Sequence, residues 1–125
     1  MAQFGTIYSK KMKYIKINTQ VNLTSGIQVP SGSAVVITEG YADVKNQKDG
    51  FIPAQVAVSV YTDIQAMLDG KQPIQGIADF QSPFQYAKLP VDDYQTVSAE
   101  TLLLGAVYQD LALIYGEANI EIVTV

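Results

Sequence analysis

Polar and apolar residues alternate along much of the chain, and this alternation predicts β-strands. It is clear in residues 12–23 and 52–61, where every second side chain is apolar or β-branched, as in strands with one buried face. Residues 34–44 form a third strand-like stretch, and residues 119–125 resume the alternation near the C-terminus. Clusters of Gly, Pro, Ser and Asp separate these stretches and are typical of turns.

Residues 98–115 are the one long segment whose apolar positions recur at helical spacing. Leu103, Val107 and Leu111 are four positions apart, so they share one side of a helix, and we expect that side to pack on the sheet. The same predicted core face includes Leu104, Ile114 and Tyr115. The segment is therefore predicted to be a single amphipathic helix near the C-terminus.

The predicted helix also has a second apolar sector, made by Leu102, Ala106 and Leu113. A surface helix needs only one apolar stripe, so a second one is expected to be covered. Two alternatives remain open for what covers it. One is residues 81–90 of the same chain, and the other is a second subunit.

The ends of two helices carry capping signals. Asp63 and Gly70 bracket a short helical turn, since Asp accepts hydrogen bonds from free backbone N–H groups and Gly adopts the left-handed exit. Thr96 or Ser98 is suited to be the N-cap of the long helix, and Gly116 is suited to end it.

Taken together, these elements predict a mainly β, α+β fold. We expect five to seven short strands in a β-sandwich, a curled antiparallel sheet or a barrel, with one long helix near the C-terminus. Residues 1–11 are predicted to be an extended arm, and residues 12–125 a single domain. Within it, residues 74–80 are interpreted as a further strand and residues 81–90 as a loop or broken edge strand. Pro53 suggests that its end of the 52–61 strand is an edge.

Composition removes most catalytic chemistry from consideration. The 125 residues contain no Cys, His, Trp or Arg, so the commonest general base, the common nucleophile dyads and the usual zinc ligands are missing. The adjacent carboxylates of Asp92 and Asp93 are interpreted as a solvated loop rather than a cation site. We therefore expect no enzymatic activity, metal or cofactor. Residues 102–115 are too short and too polar at Gln109 and Asp110 to span a bilayer.

The N-terminal residues carry a charge opposite to that of the rest of the chain. Residues 1–16 contain four lysines and no acid, whereas residues 17–125 contain four lysines and twelve acids. Opposite charges favour contact between different copies of the chain. The candidate interface residues of this region are Tyr8, Lys10, Lys11, Lys13 and Lys16. Contact with nucleic-acid phosphates is a less favoured alternative. A further alternative is that the lysines line a strand edge and only discourage unwanted pairing with other strands.

In a small chain without Cys or His, residues 34–44, residues 52–61 and the predicted helix resemble the small structural proteins of tailed bacteriophages. The likeness is to head–tail joining, ring and tail-completion proteins. It implies a β-sandwich or barrel present in several copies around a portal or tail axis. The implied function is a homo-oligomeric ring or collar in the virion, made in the host cytoplasm, whose partners are copies of itself and other virion proteins.

A ligand-binding module is the alternative function. In this interpretation, a β-sandwich recognises carbohydrate or peptide through exposed aromatic rings, which are amphipathic enough to be exposed in water and still pack on a ligand. The aromatic residues considered for this role are Tyr61, Phe84, Tyr86 and Tyr94.

Overall fold

The computed structural model describes residues 12–81, 86–94 and 98–125, apart from the side chains of Asp79, Tyr94 and Ala99. The strands are β1 (Lys13–Ile17), β2 (Val21–Asn22), β3 (Gln28–Val29), β4 (Ser33–Ala42), β5 (Phe51–Tyr61), β6 (Tyr86–Pro90) and β7 (Ile120–Thr124). The α-helices are α1 (Ile64–Leu68), α2 (Ala78–Gln81), α3 (Val91–Tyr94) and α4 (Ala99–Tyr115), and 3-10 turns occur at Val44–Asn46 and Glu117–Asn119.

Five strands form one antiparallel sheet in the order β6-β5-β4-β1-β7, and β2 pairs with β3 in a separate hairpin. Helix α4 packs on one face of the sheet and contacts β1, β4, β6 and β7. The predicted α+β class, mainly strand with one long C-terminal helix, is confirmed. The strands form one five-stranded sheet and a small hairpin rather than two large packed sheets.

The core lies between the sheet and α4. Strand β5 supplies it with alternate residues, because successive side chains of a strand point to opposite faces. Its buried residues are Ile52, Ala54, Val56, Val58 and Val60. The other four strands add Ile15, Ile17, Val35, Leu89 and Ile120, and α4 adds Leu103, Leu104, Val107 and Leu111. The alternation in residues 52–61 thus predicts the buried face of β5 correctly.

We call the opposite face the outer face. Among the described residues, it is covered only near the start of β4. There Tyr14, Ala34 and Val36 are buried, and the side chains of Ile64 and Met67 from α1 pack against them. Helix α1 begins as predicted, because the Asp63 carboxylate accepts a hydrogen bond from the N–H of Ala66 at 2.8 Å. The rest of the outer face carries exposed side chains.

Two predicted strands are wrong in extent or type. The alternation of residues 12–23 runs through a bend: β1 ends at Ile17, and Asn18 donates its N–H to the carbonyl of Asn119 at 2.7 Å. Residues 74–80 are not a strand. Ile74 makes a single backbone bond to Val60, and Gly76 has a φ of 73°, which ends any extended segment before α2 begins.

The prediction from Pro53 also needs correction. Strand β5 is interior, since it pairs with β4 on one side and with β6 on the other. Proline is tolerated there because β4 ends at Ala42, opposite Ala54, so the missing N–H of Pro53 lies just beyond the end of β4. The edge strands of the sheet are β6 and β7, and the position of β6 agrees with the interpretation of residues 81–90 as a loop or broken edge strand.

Helix α4 has the predicted ends. The N–H of Thr101 donates to the hydroxyl of Ser98 at 3.2 Å, and Gly116 leaves the helix with a φ of 91°. Ile114 is the error on its core face. It points in nearly the same direction as Leu103 on an ideal helix, yet it is 51% exposed. In the same turn Tyr115 packs against the core and its ring stacks on Phe80, so the core covers this turn on the side of Tyr115 and leaves Ile114 exposed.

Candidate functional site

The sheet opens between β1 and β4, and we call this opening the fork. The two strands pair at three positions, ending with Ile15 opposite Val35. On the N-terminal side of Ile15, β1 pairs with β7 alone among the described residues. Tyr14 lies opposite Val123, and the carbonyl of Met12 accepts from the N–H of Val125 at 2.9 Å. On this side of β4, no described residue pairs with the strand beyond Val35.

The fork contains a cavity of about 650 Å³. Its floor is the middle of β4, residues 36–40, and Met12 and Lys13 line it on the β1 side. The first turns of α4 form the remaining wall, through residues that include Glu100 and Leu104. The cavity is therefore a groove bounded by a strand edge, a helix and the diverging neighbouring strand.

The edge of β4 in this groove presents backbone hydrogen-bonding groups. Asp43 donates its N–H to the carbonyl of Pro53 at 2.9 Å, so these residues form a hydrogen-bonded pair of the β4–β5 register. Such pairs alternate with pairs whose backbone groups point outward. Gly40 and Ala42 fall on the outward positions and direct their N–H and C=O groups into the fork.

A β-bulge and a glycine shape this part of β4. The register with β5 shifts between Ile37 and Glu39, and the hydroxyl of Thr38 donates to the carbonyl of Ala57 at 3.2 Å. A Cβ at Gly40 would overlap the Cδ1 of Leu103, so glycine allows α4 to lie directly on the strand. The bulge lies two residues before Gly40.

Two acidic residues and one lysine border the groove. Glu39 on β4, Glu100 on α4 and Lys13 on β1 are exposed and adjoin the cavity. Glu39 lies opposite the exposed Ala57 and is therefore on the outer face of the sheet, whereas Glu100 belongs to the helix on the other face. Lys13 and Lys16 occupy positions of opposite parity on β1 and therefore lie on opposite faces of the sheet. The structure thus does not bring these two predicted interface lysines together. The other predicted residues of the arm, Tyr8, Lys10 and Lys11, lie outside the described residues.

The second apolar sector of α4 is divided in the structure. Leu102 is half-buried and packs against the core, and Ala106 is also half-buried. Leu113 is 85% exposed, and its neighbour Ile114 is exposed as well. Of residues 81–90, the structure describes Gln81, which ends α2, and Tyr86–Pro90, which form β6 in the sheet. Asp110 lies between Ala106 and Leu113 along α4, and its partial burial raises the pKa of its carboxyl.

A row of polar and aromatic side chains crosses the outer face. Tyr41, Gln55 and Tyr86 lie opposite one another on three adjacent strands. The two tyrosines are 63% and 69% exposed, and a cavity of about 470 Å³ adjoins Tyr41 and Gln55. Sequence reasoning named Tyr86 and missed Tyr41. The signal for Tyr41 was its position two residues after Glu39, on the polar side of β4.

The other aromatic residues considered for ligand binding are not part of this row. Tyr61 is half-buried and packs against the cluster under α1. Phe84 and the side chain of Tyr94 lie outside what the structure describes.

The described residues show neither a metal-binding cluster nor a membrane-spanning helix. In this part of the chain, no three or more acidic side chains are grouped so that they could hold a metal ion. Asp92 and Asp93 are exposed in the short helix α3. Across the same residues, each helix is too short or too polar to cross a bilayer.

Comparison of the chain with protein-family models, with curated proteins and with solved structures gives no match. Function is therefore inferred from three surfaces of the molecule: the fork, the exposed end of α4 and the tyrosine row of the outer face.

Proposed function

We propose that this chain is a non-enzymatic structural protein that assembles with copies of itself. The observation that carries the proposal is the exposed apolar end of α4, where Leu113 is 85% and Ile114 51% exposed. Ile122 on β7 is also exposed, on the face of the sheet that α4 covers. Full burial of one such side chain contributes roughly 1.5–3 kcal/mol, so covering these exposed side chains favours association.

The distribution of charge supports a head-to-tail arrangement. Residues 1–16 are positive, and the twelve acids of the chain all follow them. A contact between two different regions of neighbouring copies repeats from copy to copy and closes into a ring when the rotation allows. A ring or collar in the virion of a tailed phage, joined to other virion proteins, is the assembly that the resemblance of the sequence implies.

The test is the mass of the protein in solution, measured by sedimentation velocity and native mass spectrometry at micromolar concentration. We expect the wild type to be oligomeric. Leu113→Glu should weaken association by about tenfold or more, because it places a charge in the apolar contact. Gln55→Glu is the matched control, since it adds the same charge at an exposed position of β5 on the outer face, the side of the sheet opposite α4.

Far-UV circular dichroism of both variants checks that α4 remains folded. A wild-type protein that stays monomeric at high micromolar concentration contradicts the proposal. If the two glutamate variants weaken self-association equally, Leu113 is not part of the contact.

The tyrosine row favours a second candidate function, a binding module for carbohydrate or peptide. Tyr41 and Tyr86 present rings and hydroxyl groups on either side of Gln55, and this combination of apolar surface and hydrogen-bonding groups is typical of ligand sites. Glycan and peptide arrays test it. Selective binding that Tyr86→Ala abolishes supports the module, whereas the assembly proposal predicts no selective ligand.

A further inference from the structure

We propose that the fork receives residues 1–11 of a second copy of this chain, which add as a strand to the edge of β4 beside Gly40 and Ala42. The inference rests on the proposed self-assembly and identifies a contact that links the copies.

The backbone of β4 provides the main attraction. Gly40 and Ala42 direct two N–H and two C=O groups into a groove in which no described residue pairs with them. A strand edge with unpaired groups is a template for another strand, and added strands bind mainly through such main-chain bonds. The cavity of about 650 Å³ beside residues 36–40 provides the space.

The arm has the composition and length of an added strand. Residues 1–11 contain no proline, and the strand-forming residues Phe4, Thr6 and Tyr8 fall on alternate positions. Eleven extended residues reach about 36 Å, and the open edge from residue 36 to residue 42 spans roughly 23 Å. The arm can therefore pair with the whole edge.

Charge favours the same occupant. Residues 1–11 contain Lys10 and Lys11 and no acid, whereas the groove is bordered by two acids, Glu39 and Glu100, and one lysine, Lys13. Lysines that follow an added strand can approach these carboxylates from the open end of the groove. Opposite charges at the two surfaces favour the encounter and fix its orientation.

The path of β1 favours an arm from a different copy. Met12 and Lys13 follow β7, because Val125 donates to the carbonyl of Met12 at 2.9 Å and Lys13 lies opposite Thr124. To reach β4, the preceding residues of the same chain must cross the fork immediately before Met12. The arm of a second copy can enter along the groove without this bend.

Disulfide trapping tests the contact directly, since the chain contains no native cysteine. One preparation carries Thr38→Cys on the open edge, and a second carries Phe4→Cys, Thr6→Cys or Tyr8→Cys in the arm. On mixing and mild oxidation, we expect a disulfide-linked heterodimer for at least one arm position. Gln109→Cys replaces Thr38→Cys as the control and should give no such product, because Gln109 is exposed on α4 outside the groove.

A double variant tests the arm of the same chain. With Tyr8→Cys and Thr38→Cys in one molecule, a disulfide that forms only within the monomer overturns the inference. Intermolecular products support it.

Charge reversal provides an independent measurement. Glu39→Lys should weaken self-association roughly two- to fivefold, with a larger effect at low salt, as expected for an exposed ion pair. Glu117→Lys is the matched control, because it makes the same change at an exposed position near the other end of α4. Equal weakening by both variants contradicts the groove contact.

Deletion of residues 1–11 separates this inference from the proposed function. If the truncated chain assembles like the wild type and Leu113→Glu still disrupts assembly, the arm contact is wrong and self-assembly stands. If the wild type is monomeric and no heterodimer forms, both are wrong.

Discussion

The two halves of β4 differ in what surrounds them. Ser33 to Val36 are buried, and β1 and β5 pair on either side of this half. Even the polar side chain of Ser33 is satisfied there, by donating its hydroxyl to the carbonyl of Pro30 at 2.5 Å. Thr38 to Tyr41 are exposed. Thr38 is the bulge residue, and Glu39 to Tyr41 pair with β5 alone among the described residues. One strand thus supports the core with its first half and offers an edge with its second.

The cause of the difference lies in the neighbouring strand and not only in β4. Strand β1 pairs with β7 over its whole length and with β4 at only three positions. The bulge at Thr38 bends β4 where the two strands separate. A single strand can therefore have both a structural and an associative role when its partner diverges from it.

The largest expected effect on stability is in the first half of β4, Ser33 to Val36, which we call the closed half; we call Thr38 to Tyr41 the open half. Val35→Ala should lower the free energy of unfolding by about 2–3 kcal/mol, because it removes buried methyl groups and leaves a cavity. Tyr41→Ala, in the open half, should change it by less than about 0.5 kcal/mol. Urea unfolding followed by circular dichroism measures both. Similar losses for the two variants would mean that the open half also supports the core.

An intermediate effect is expected where α4 lies on the open half. Gly40→Ala should cost about 1–2 kcal/mol of unfolding free energy, because the new Cβ overlaps the buried side chain of Leu103. Gly105→Ala is the control within α4. A Cβ there meets nothing within 4 Å, so it should stabilise the protein by up to about 1 kcal/mol.

A double-mutant cycle identifies the cause of the Gly40 effect. If overlap with Leu103 is responsible, Gly40→Ala should cost much less in a Leu103→Ala background than in the wild type. An unchanged cost in that background would locate the strain elsewhere in β4.

The smallest effect concerns Asp110, whose pKa burial raises above the ordinary value of 3.8. A pKa raised in the folded state means that the protonated carboxyl stabilises the fold at low pH, and this contribution is lost as the pH rises through the folded pKa. In Asp110→Asn, the free energy of unfolding should therefore depend less on pH above about pH 4. At neutral pH it should be slightly higher than in the wild type. Thermal unfolding across this range measures it, with Gln109→Asn as the control. A steeper dependence on pH in Asp110→Asn would contradict the assignment.

The sequence predicted the features of this protein that depend on neighbouring residues. The alternation of residues 52–61 identified the buried face of β5, and Ser98 and Gly116 marked the ends of α4. These signals are local, because a strand repeats every two residues and a cap acts within one helical turn. The same local rules could not detect the bend after Ile17, since the alternation continues through it.

Only the tertiary structure determined which surfaces are open. Ile15 lies opposite both Val35 and Ile122, residues that are far from it in the sequence, and the fork begins where the first of these pairings stops. Likewise, Leu102 and Leu113 are indistinguishable as apolar positions of α4, yet the first packs against the core and the second is exposed. The periodicity of a helix predicts which side chains share a face. Which of these side chains are buried depends on how far the surface packed against that face extends.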